Sequence, residues 1–272
     1  MNDILDSIHD KIESTHYGHY LSAMCIFHDG YRSNLMIYPD TYVCLSCGAK
    51  GKTSNLLKKL SNIPIIQKIH DFRNPWTRWM KELSLGQVLK SSWNTLMTNP
   101  SLGSYLEKRK VPFNTQKELG IGYREDWYTF PIRNPDNKVI GAVARAGEEN
   151  TSPAKYIFPS HQEDMLYVPS WDRTWKESKI YLTFGIIDAI SLYIMGYASM
   201  STTRGKKADP RLFDKITKKI TIIPDHAELQ EAHKLARELG WRGRVISFDY
   251  PHGVKDLNDL HMQNYDMEGI LE

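Results

Sequence analysis

The chain has 272 residues, of which 41% are apolar and 25% charged, and this ordinary globular composition excludes fibrous and wholly disordered proteins. No apolar run approaches the roughly eighteen residues of a membrane span, and the acidic N-terminus lacks the apolar segment of a secretory signal, so a soluble cytoplasmic protein is expected. The net charge of +3 hides a basic stretch at 50–110, which contains twelve Lys or Arg and three acids and so carries a net charge of +9. This stretch favours a polyanionic partner but is also typical of solvated helix faces.

The first sixty residues predict a small domain of short elements. A helix is expected over 3–15, two strands over 33–38 and 41–46, and a helix over 54–60 that Thr53 would cap. Residues 61–97 are basic and interrupted by prolines. They predict a linker that contains one or two helices.

The pattern of predicted elements changes near residue 98. A helix over 101–111 is followed by β-rich stretches at 127–134, 138–146 and 155–160, which predict an α+β subdomain. Strands and helices then alternate, with strands at 180–184, 197–201, 220–224 and 244–248 and helices at 187–195, 210–218 and 228–239. This alternation favours a parallel, Rossmann-like sheet.

Three cysteines and a histidine have the spacing of a metal site. Cys25-x2-His28 is followed, after fifteen residues, by Cys44-x2-Cys47. Two close ligand pairs separated by a hairpin suit tetrahedral zinc, and four protein ligands would make it structural. Because every cysteine of the chain falls in the pattern, we predict zinc here rather than three free cysteines and an unrelated histidine.

Several stretches of the sequence resemble the DnaG-type primases of bacteria and bacteriophages. The segment CIFHDGYRSNLMIYPDTYVCLSCGAKGK is similar to the primase zinc ribbon, and TFPIRNPDNKVIGAVARA and SPAKYIFPS are similar to the first part of the primase core. TFGIIDAISLYIMG, IIPDHAELQEA and GVKDLNDL follow the order of a Toprim domain. The resemblance implies an α/β protein with a zinc ribbon at 1–60, a basic linker at 61–97, an α+β subdomain at 98–177 and a Toprim domain at 178–272.

The same resemblance implies RNA primer synthesis on single-stranded DNA by nucleotidyl transfer assisted by Mg²⁺ or Mn²⁺. Its partners would be the template, ribonucleotides and a replicative helicase or other replisome protein, with no membrane. By motif match, Arg133, Arg145 and Lys155 would bind nucleic acid or nucleotide. Arg204, Lys206 and Lys207 follow the second Toprim strand and could hold phosphate. Such side chains neutralise phosphates without reading bases, although they could equally solvate a strand edge or a turn.

The acidic motif of the Toprim domain is incomplete in this chain. Phe184 stands where the family has a glutamate, and Ala227 stands at the second acid of its Asp-x-Asp motif. The remaining candidates for holding the catalytic cation are Asp225, Asp256 and Asp259, with Glu228 as a possible substitute. Asp188 also survives, but aspartate is common in a first helical turn.

The incomplete motif leaves the enzymatic status open between two accounts. One is a divergent but active primase, and the other is an inactive homologue that binds nucleic acid or a replisome protein. A Toprim-type nuclease is a further alternative, which the zinc ribbon and the TFPIRN and SPAKY stretches disfavour.

Overall fold

The computed structural model of the chain describes residues 3–12, 14–27, 34–61, 74–150, 152, 154–160, 162–206, 208–247 and 249–271. The chain forms two compact units, one from residues 1–82 and 149–160 and the other from residues 83–148 and 161–272. No helix in these described ranges has the length and apolar character required to cross a bilayer.

The elements are short throughout. The strands are β1 (Ser14–His16), β2 (Leu21–Ala23), β3 (Leu35–Ile37), β4 (Thr41–Cys44), β5 (Lys50–Lys52), β6 (Gly122–Arg124), β7 (Trp127–Arg133), β8 (Val139–Ala146), β9 (Tyr156–Ile157), β10 (Leu166–Tyr167), β11 (Lys179–Thr183), β12 (Ser199–Thr202), β13 (Lys219–Ile222) and β14 (Gly243–Val245). The helices are α1 (Asp3–His9), α2 (Thr53–Ser61), α3 (Pro75–Trp79), α4 (Leu85–Thr98), α5 (Ser104–Lys108), α6 (Phe113–Glu118), α7 (Trp171–Lys176), α8 (Ile186–Ile194), α9 (Leu229–Leu239), α10 (Leu257–Met262) and α11 (Glu268–Leu271).

The first unit contains an antiparallel sheet of β1 to β5 in sequence order. Helices α1 and α2 contribute Leu5, Ile8 and Leu56 to the buried core of this sheet. We predicted a helix over 3–15, but α1 ends at His9. The end of the predicted helix instead lies in β1 (Ser14–His16), which pairs with β2. Thr53 begins α2, and its hydroxyl donates to the Tyr38 carbonyl at 2.7 Å, which ties the helix to the β3–β4 turn.

Part of the predicted linker is folded into the first unit. Trp76 in α3 is fully buried, and its indole nitrogen donates to the Ile157 carbonyl at 3.2 Å. The Asn74 side chain donates to the Phe158 carbonyl at 2.7 Å. These bonds join segments that lie about eighty positions apart in the sequence. Residues 62–73 of the linker lie outside the described residues.

The second unit begins with an antiparallel sheet of β6, β7 and β8. Helix α4 packs on this sheet so closely that a Cβ at Gly122 would lie 2.5 Å from the Ser92 carbonyl carbon. The start of α4 is fixed by a capping box in which Ser84 and Gln87 hydrogen-bond each other's backbone amides. Helix α4 therefore packs on the α+β part of the chain, although it falls within the segment we predicted as a linker.

The remainder of the second unit is a five-stranded sheet in the order β10-β12-β11-β13-β14. Strands β12, β11, β13 and β14 are parallel, and β10 is antiparallel at one edge. Ile180 and Leu182 face a core that includes Leu235 of α9, whereas Tyr181 faces a second core that includes Leu257 of α10. The predicted α/β class with a parallel, Rossmann-like sheet is confirmed.

The predicted helix over 210–218 is a single 3-10 turn at Pro210–Phe213. Asp209 caps this turn by accepting from the Arg211 amide at 2.9 Å. Phe213 and Ile216 are both buried, so this segment contributes to the core without a full helix.

Candidate metal centre and acidic site

The three cysteines converge at one end of the first unit. Their sulfur atoms all lie within 4.8 Å of one another, and those of Cys25 and Cys47 are 3.8 Å apart. No other set of three His, Cys, Asp or Glu ligand atoms converges in the parts of the chain that the structure describes. His28, the predicted fourth ligand, lies outside the described residues.

The backbone around the cysteines is arranged to support thiolates. The amides of Phe27 and Ser46 donate to the sulfurs of Cys25 and Cys44, each at 3.4 Å. Gly48 has a φ of +73°, and its amide donates to the Cys44 carbonyl at 3.0 Å. Only glycine adopts this left-handed conformation freely, so Gly48 allows the chain to turn sharply after the last cysteine.

The electrostatics of the cluster call for a cation. Burial raises the pKa of the Cys25 thiol to about 12. Burial also opposes ionisation at Cys44, but hydrogen bonds from the amides of Cys47 and Ser46, together with those from the Cys25 and Cys47 side chains, outweigh it and lower the pKa of the Cys44 thiol. Three thiolates this close would repel one another unless a metal ion lay between them, so the donor set fits a soft divalent cation.

A second group of polar residues lies at the carboxyl ends of the parallel strands. Asp188, in the first turn of α8, folds back over Gly185 so closely that a Cβ there would lie 2.1 Å from its Oδ2 atom. Its Oδ1 atom accepts from the Asn258 amide at 2.9 Å. Gly185 is therefore required for the position of the Asp188 carboxylate.

Tyr250 marks the region where the carboxylates gather. Its hydroxyl donates to the Pro224 carbonyl at 3.2 Å. Burial raises the pKa of this phenol, and the negative charges of Asp225, Asp188, Asp256 and Glu228 raise it further. The negative charges of carboxylates from three separate segments thus raise the pKa of one partly buried hydroxyl.

The four predicted acids also cap helix starts. Asp225 and Glu228 form a capping box, with the Asp225 amide donating to Glu228 Oε2 at 3.3 Å. Asp256 accepts from the Asp259 amide at 2.8 Å, and Asp259 accepts from the Lys255 amide at 3.0 Å. Their assignment as cation ligands remains a prediction, because the cysteine cluster is the only group of three potential metal ligands that forms among the described residues.

The two positions that lack the expected acid differ in their surroundings. Phe184 is 7% exposed and belongs to the apolar core on the α9 side of the sheet. Ala227 is exposed, and its carbonyl accepts from the Lys206 ammonium at 3.0 Å. The same ammonium lies 3.3 Å from the Glu231 carboxylate.

The other predicted basic residues occupy varied environments. Arg133 is partly exposed and donates to the Asn137 carbonyl at 3.1 Å, and Lys155 is exposed. Arg145 is only 3% exposed, and its guanidinium lies 4.9 Å above the Tyr105 ring and donates to the Tyr105 hydroxyl. In this position Arg145 stabilises β8 against α5.

Two further basic residues complete the predicted set. Arg204 donates to the Gln162 carbonyl, and Lys207 lies outside the described residues. The nucleic-acid role of all six basic residues remains a prediction.

Asn258 is a structural residue that the sequence did not reveal. It is 1% exposed, and its side-chain amide donates to the Arg109 carbonyl at 2.9 Å and to the Ser191 hydroxyl at 3.0 Å. Its carbonyl oxygen accepts from the Arg109 guanidinium at 3.1 Å. The backbone amide of Asn258 also donates a hydrogen bond to Asp188. Asn258 therefore connects α8, α10 and the end of α5.

The antiparallel sheet with its cysteine cluster, the α+β part and the parallel sheet follow one another along the chain in the order that the motif resemblance to DnaG-type primases leads one to expect. Comparison with known proteins confirms the resemblance predicted from the motifs. No protein-family model matches the sequence. The DNA primase of Helicobacter pylori is 22% identical over 91% of this chain, which spans 56% of the length of that relative.

Solved structures agree with this assignment of the fold. The zinc-binding and RNA polymerase domains of the Aquifex aeolicus primase match 96% of this chain and 80% of that chain, with a TM-score of 0.54 and 18% identity. A DnaG primase catalytic domain bound to single-stranded DNA matches 72% of this chain and 79% of that chain, with a TM-score of 0.53 and 14% identity. At these identities the matches establish the fold, which is that of the primase zinc-binding and polymerase domains.

Proposed function

We propose that this chain is a primase, which synthesises short RNA primers on single-stranded DNA. The observation that carries the proposal is the likeness to one primase structure through both its zinc-binding and its RNA polymerase domains. In the proposed reaction the 3′ oxygen of the growing RNA attacks the α-phosphate of a ribonucleoside triphosphate, and pyrophosphate leaves.

The first part of the proposal concerns zinc. Cys25, Cys44 and Cys47 would hold the ion, with His28 as the fourth ligand expected from the spacing. Four protein ligands leave no open coordination position, so the zinc would stabilise the ribbon and take no part in chemistry. A small unit with short strands gains much of its folding free energy from such an ion.

The second part concerns the cation that would assist nucleotidyl transfer. Magnesium sites that act on nucleotides commonly use one or two protein carboxylates and complete the shell with water and substrate phosphates. Asp225 and Asp256, whose charges both raise the pKa of Tyr250, would supply these one or two carboxylates. A Mg²⁺ or Mn²⁺ ion bound there with the nucleotide would neutralise charge on the triphosphate.

The third part concerns the partners. Single-stranded DNA would be the template, since one structural relative, a DnaG primase catalytic domain, has been solved bound to single-stranded DNA. The exposed Lys155 and the partly exposed Arg133 would contact phosphates, and ribonucleotides would be the substrates. We also propose a replicative helicase or other replisome protein as a partner, and the cytoplasm as the location.

A second candidate function is favoured by two specific residues. With Phe184 in the core and Ala227 beside Lys206, two carboxylates that the resemblance leads one to expect are absent. Loss of a cation ligand usually lowers the rate by orders of magnitude, because charge stabilisation drives this kind of transfer. The alternative is therefore an inactive homologue that binds nucleic acid or a replisome protein.

The deciding experiment measures template-dependent incorporation of labelled ribonucleotides by the zinc-loaded chain, with Mg²⁺ or Mn²⁺. Asp225→Asn removes the charge but keeps an oxygen for the helix cap, and it is expected to lower incorporation about a hundredfold or more. Asp172→Asn, at an exposed aspartate of α7, is the matched control and should leave the rate unchanged.

Three outcomes are distinguishable. An active wild type with an inactive Asp225→Asn variant supports the primase proposal. An active wild type that tolerates Asp225→Asn contradicts the assignment of Asp225. A silent wild type with both cations and several templates contradicts primase activity and supports the inactive homologue.

A further inference from the structure

The amino-terminal edge of the parallel sheet is strongly basic. Three segments lead into β11, β13 and β14, namely residues 171–179, 211–219 and 240–244. They carry nine Lys or Arg and three Asp or Glu, a net charge of +6 in a chain whose total is +3. The basic residues are Arg173, Lys176, Lys179, Arg211, Lys215, Lys218, Lys219, Arg242 and Arg244.

Two of these basic side chains join the three segments into one surface. The Lys218 ammonium donates to the Thr174 carbonyl at 3.2 Å and also to the carbonyls of Trp175 and Glu177, which ties the second segment to the end of α7. The Arg242 guanidinium donates to the Phe213 carbonyl at 2.8 Å. The segments are therefore held side by side by ordered contacts.

The residues that this edge presents to solvent combine aromatic and cationic groups. Trp241 is 76% exposed and Trp175 is 40% exposed. Lys215, Lys219 and Arg244, which belong to the same three segments, are exposed as well. We call these five residues the amino-edge surface.

The exposure of Trp241 carries a cost. A largely exposed indole leaves a wide apolar face in water. Lys179 does not add to this cost, because its ammonium donates to the Leu271 carbonyl at 2.8 Å. A bound molecule with stackable rings would cover the indole.

We propose that the amino-edge surface binds single-stranded nucleic acid, with Trp241 stacking on a base and Lys215, Lys219 and Arg244 contacting phosphates. Stacking on tryptophan is available to every base, and lysine and arginine contact phosphates independently of sequence, so binding would be nonspecific. An acidic protein is the competing occupant, but it would leave the flat indole face without a matched partner.

This surface is distinct from the acidic site. Lys179 begins β11, and Gly185 and Asp188 follow the end of that strand. A five-residue strand spans about 15 Å at roughly 3.3 Å per residue, so the two sites lie at opposite edges of the sheet. The inference therefore holds whether or not the chain synthesises primers.

The test uses photocrosslinking of the full chain to a single-stranded oligodeoxythymidine that carries bromodeoxyuridine, without added Mg²⁺ or ribonucleotides. We expect a crosslink in the tryptic peptide of residues 238–242, which contains Trp241, and the crosslink should disappear in Trp241→Ala. Because the yield of this peptide is followed against oligonucleotide concentration, the measured affinity belongs to this surface and not to the zinc ribbon.

Charge variants then test the phosphate contacts. Arg244→Glu should raise the half-saturating oligonucleotide concentration for this crosslink about tenfold, whereas Lys234→Glu, at an exposed lysine of α9, should leave it unchanged. Circular dichroism melting confirms that each variant is folded. Crosslinks that avoid residues 238–242 at saturation, or equal affinities for the two charge variants, would overturn the proposal irrespective of any primase assay.

Discussion

Phe184 and Ala227, the two positions at which the resemblance leads us to expect an acid, have different surroundings. Phe184 is part of a packed core, whereas Ala227 is exposed beside a lysine. Restoring a carboxylate at position 184 would bury a charge among apolar side chains, and restoring one at 227 would place it in water. An acidic side chain should therefore destabilise the fold at position 184 and have little effect on stability at position 227.

The first prediction follows from this difference. Phe184→Glu should lower the free energy of unfolding of the second unit by about 2–4 kcal/mol, since it removes core packing and buries an unpaired carboxylate. Phe184→Leu, the volume-conserving control, should cost less than about 1.5 kcal/mol. Urea denaturation followed by circular dichroism measures both. Equal stability of Phe184→Glu and the wild type would show that Phe184 lies outside the core.

A second prediction concerns Asn258. Asn258→Ala removes the side-chain bonds to Arg109 and Ser191 and leaves buried polar groups unsatisfied, so we expect a loss of about 2–3 kcal/mol. Gln263→Ala, at an exposed residue just after α10, serves as the control. A wild-type denaturation midpoint for Asn258→Ala would contradict the structural role.

At the residue scale, local spacing decided what could be predicted. The cysteines can be recognised because, with His28, they form two pairs of metal-binding residues that lie close together in sequence. Asn258 could not be recognised, because its partners at 109 and 191 lie far away in the chain and meet it only after folding.

At the scale of elements, the parallel sheet could be predicted and the ribbon only in part. Strands β11 to β14 alternate with turns and helices of ordinary length, which is the pattern of a parallel sheet. Strands β1, β2 and β5 have three residues each, too few for an alternating pattern to be visible. Among the described residues, β1 and β5 are also the edges of their sheet and place no residue in its buried core.

The cysteine cluster gives a third prediction. The purified chain should contain about one zinc per molecule, and Cys44→Ser should lose the metal and unfold the ribbon, because metal binding supplies much of its stability. Ser54→Ala, at an exposed residue of α2, is the control. Atomic emission and limited proteolysis measure these effects. A zinc-free wild type with a protease-resistant ribbon would contradict the assignment.

At the scale of the whole molecule, the small net charge conceals local imbalance. Residues 50–110 carry a net +9, and the three segments at the amino edge of the parallel sheet carry a net +6. Acids predominate elsewhere, including the group of carboxylates around Tyr250. The first stretch was visible as a run in the sequence, whereas the second is assembled from three separated segments and could be seen only in the fold.

This charge distribution predicts a strong salt dependence of binding. Binding of the full chain to single-stranded oligodeoxythymidine should weaken steeply with salt, as expected when several lysines and arginines displace counterions from phosphates. The double variant Lys219→Glu/Arg244→Glu should lower the slope of log affinity against log salt by about 1.4, since each phosphate contact on a single strand contributes about 0.7. The crosslink yield of residues 238–242 at several salt concentrations measures the slope for this surface, and an unchanged slope would contradict these contacts.

The proposal of template-directed RNA synthesis is tested most directly by sequencing the product. The zinc-loaded chain is incubated with ribonucleotides, Mg²⁺ or Mn²⁺ and single-stranded DNA templates of defined sequence, and any new RNA is sequenced. We predict short RNA that complements each template and changes when the template changes. No RNA on any template, RNA unrelated to the template, or cleavage of the DNA instead would contradict the claim.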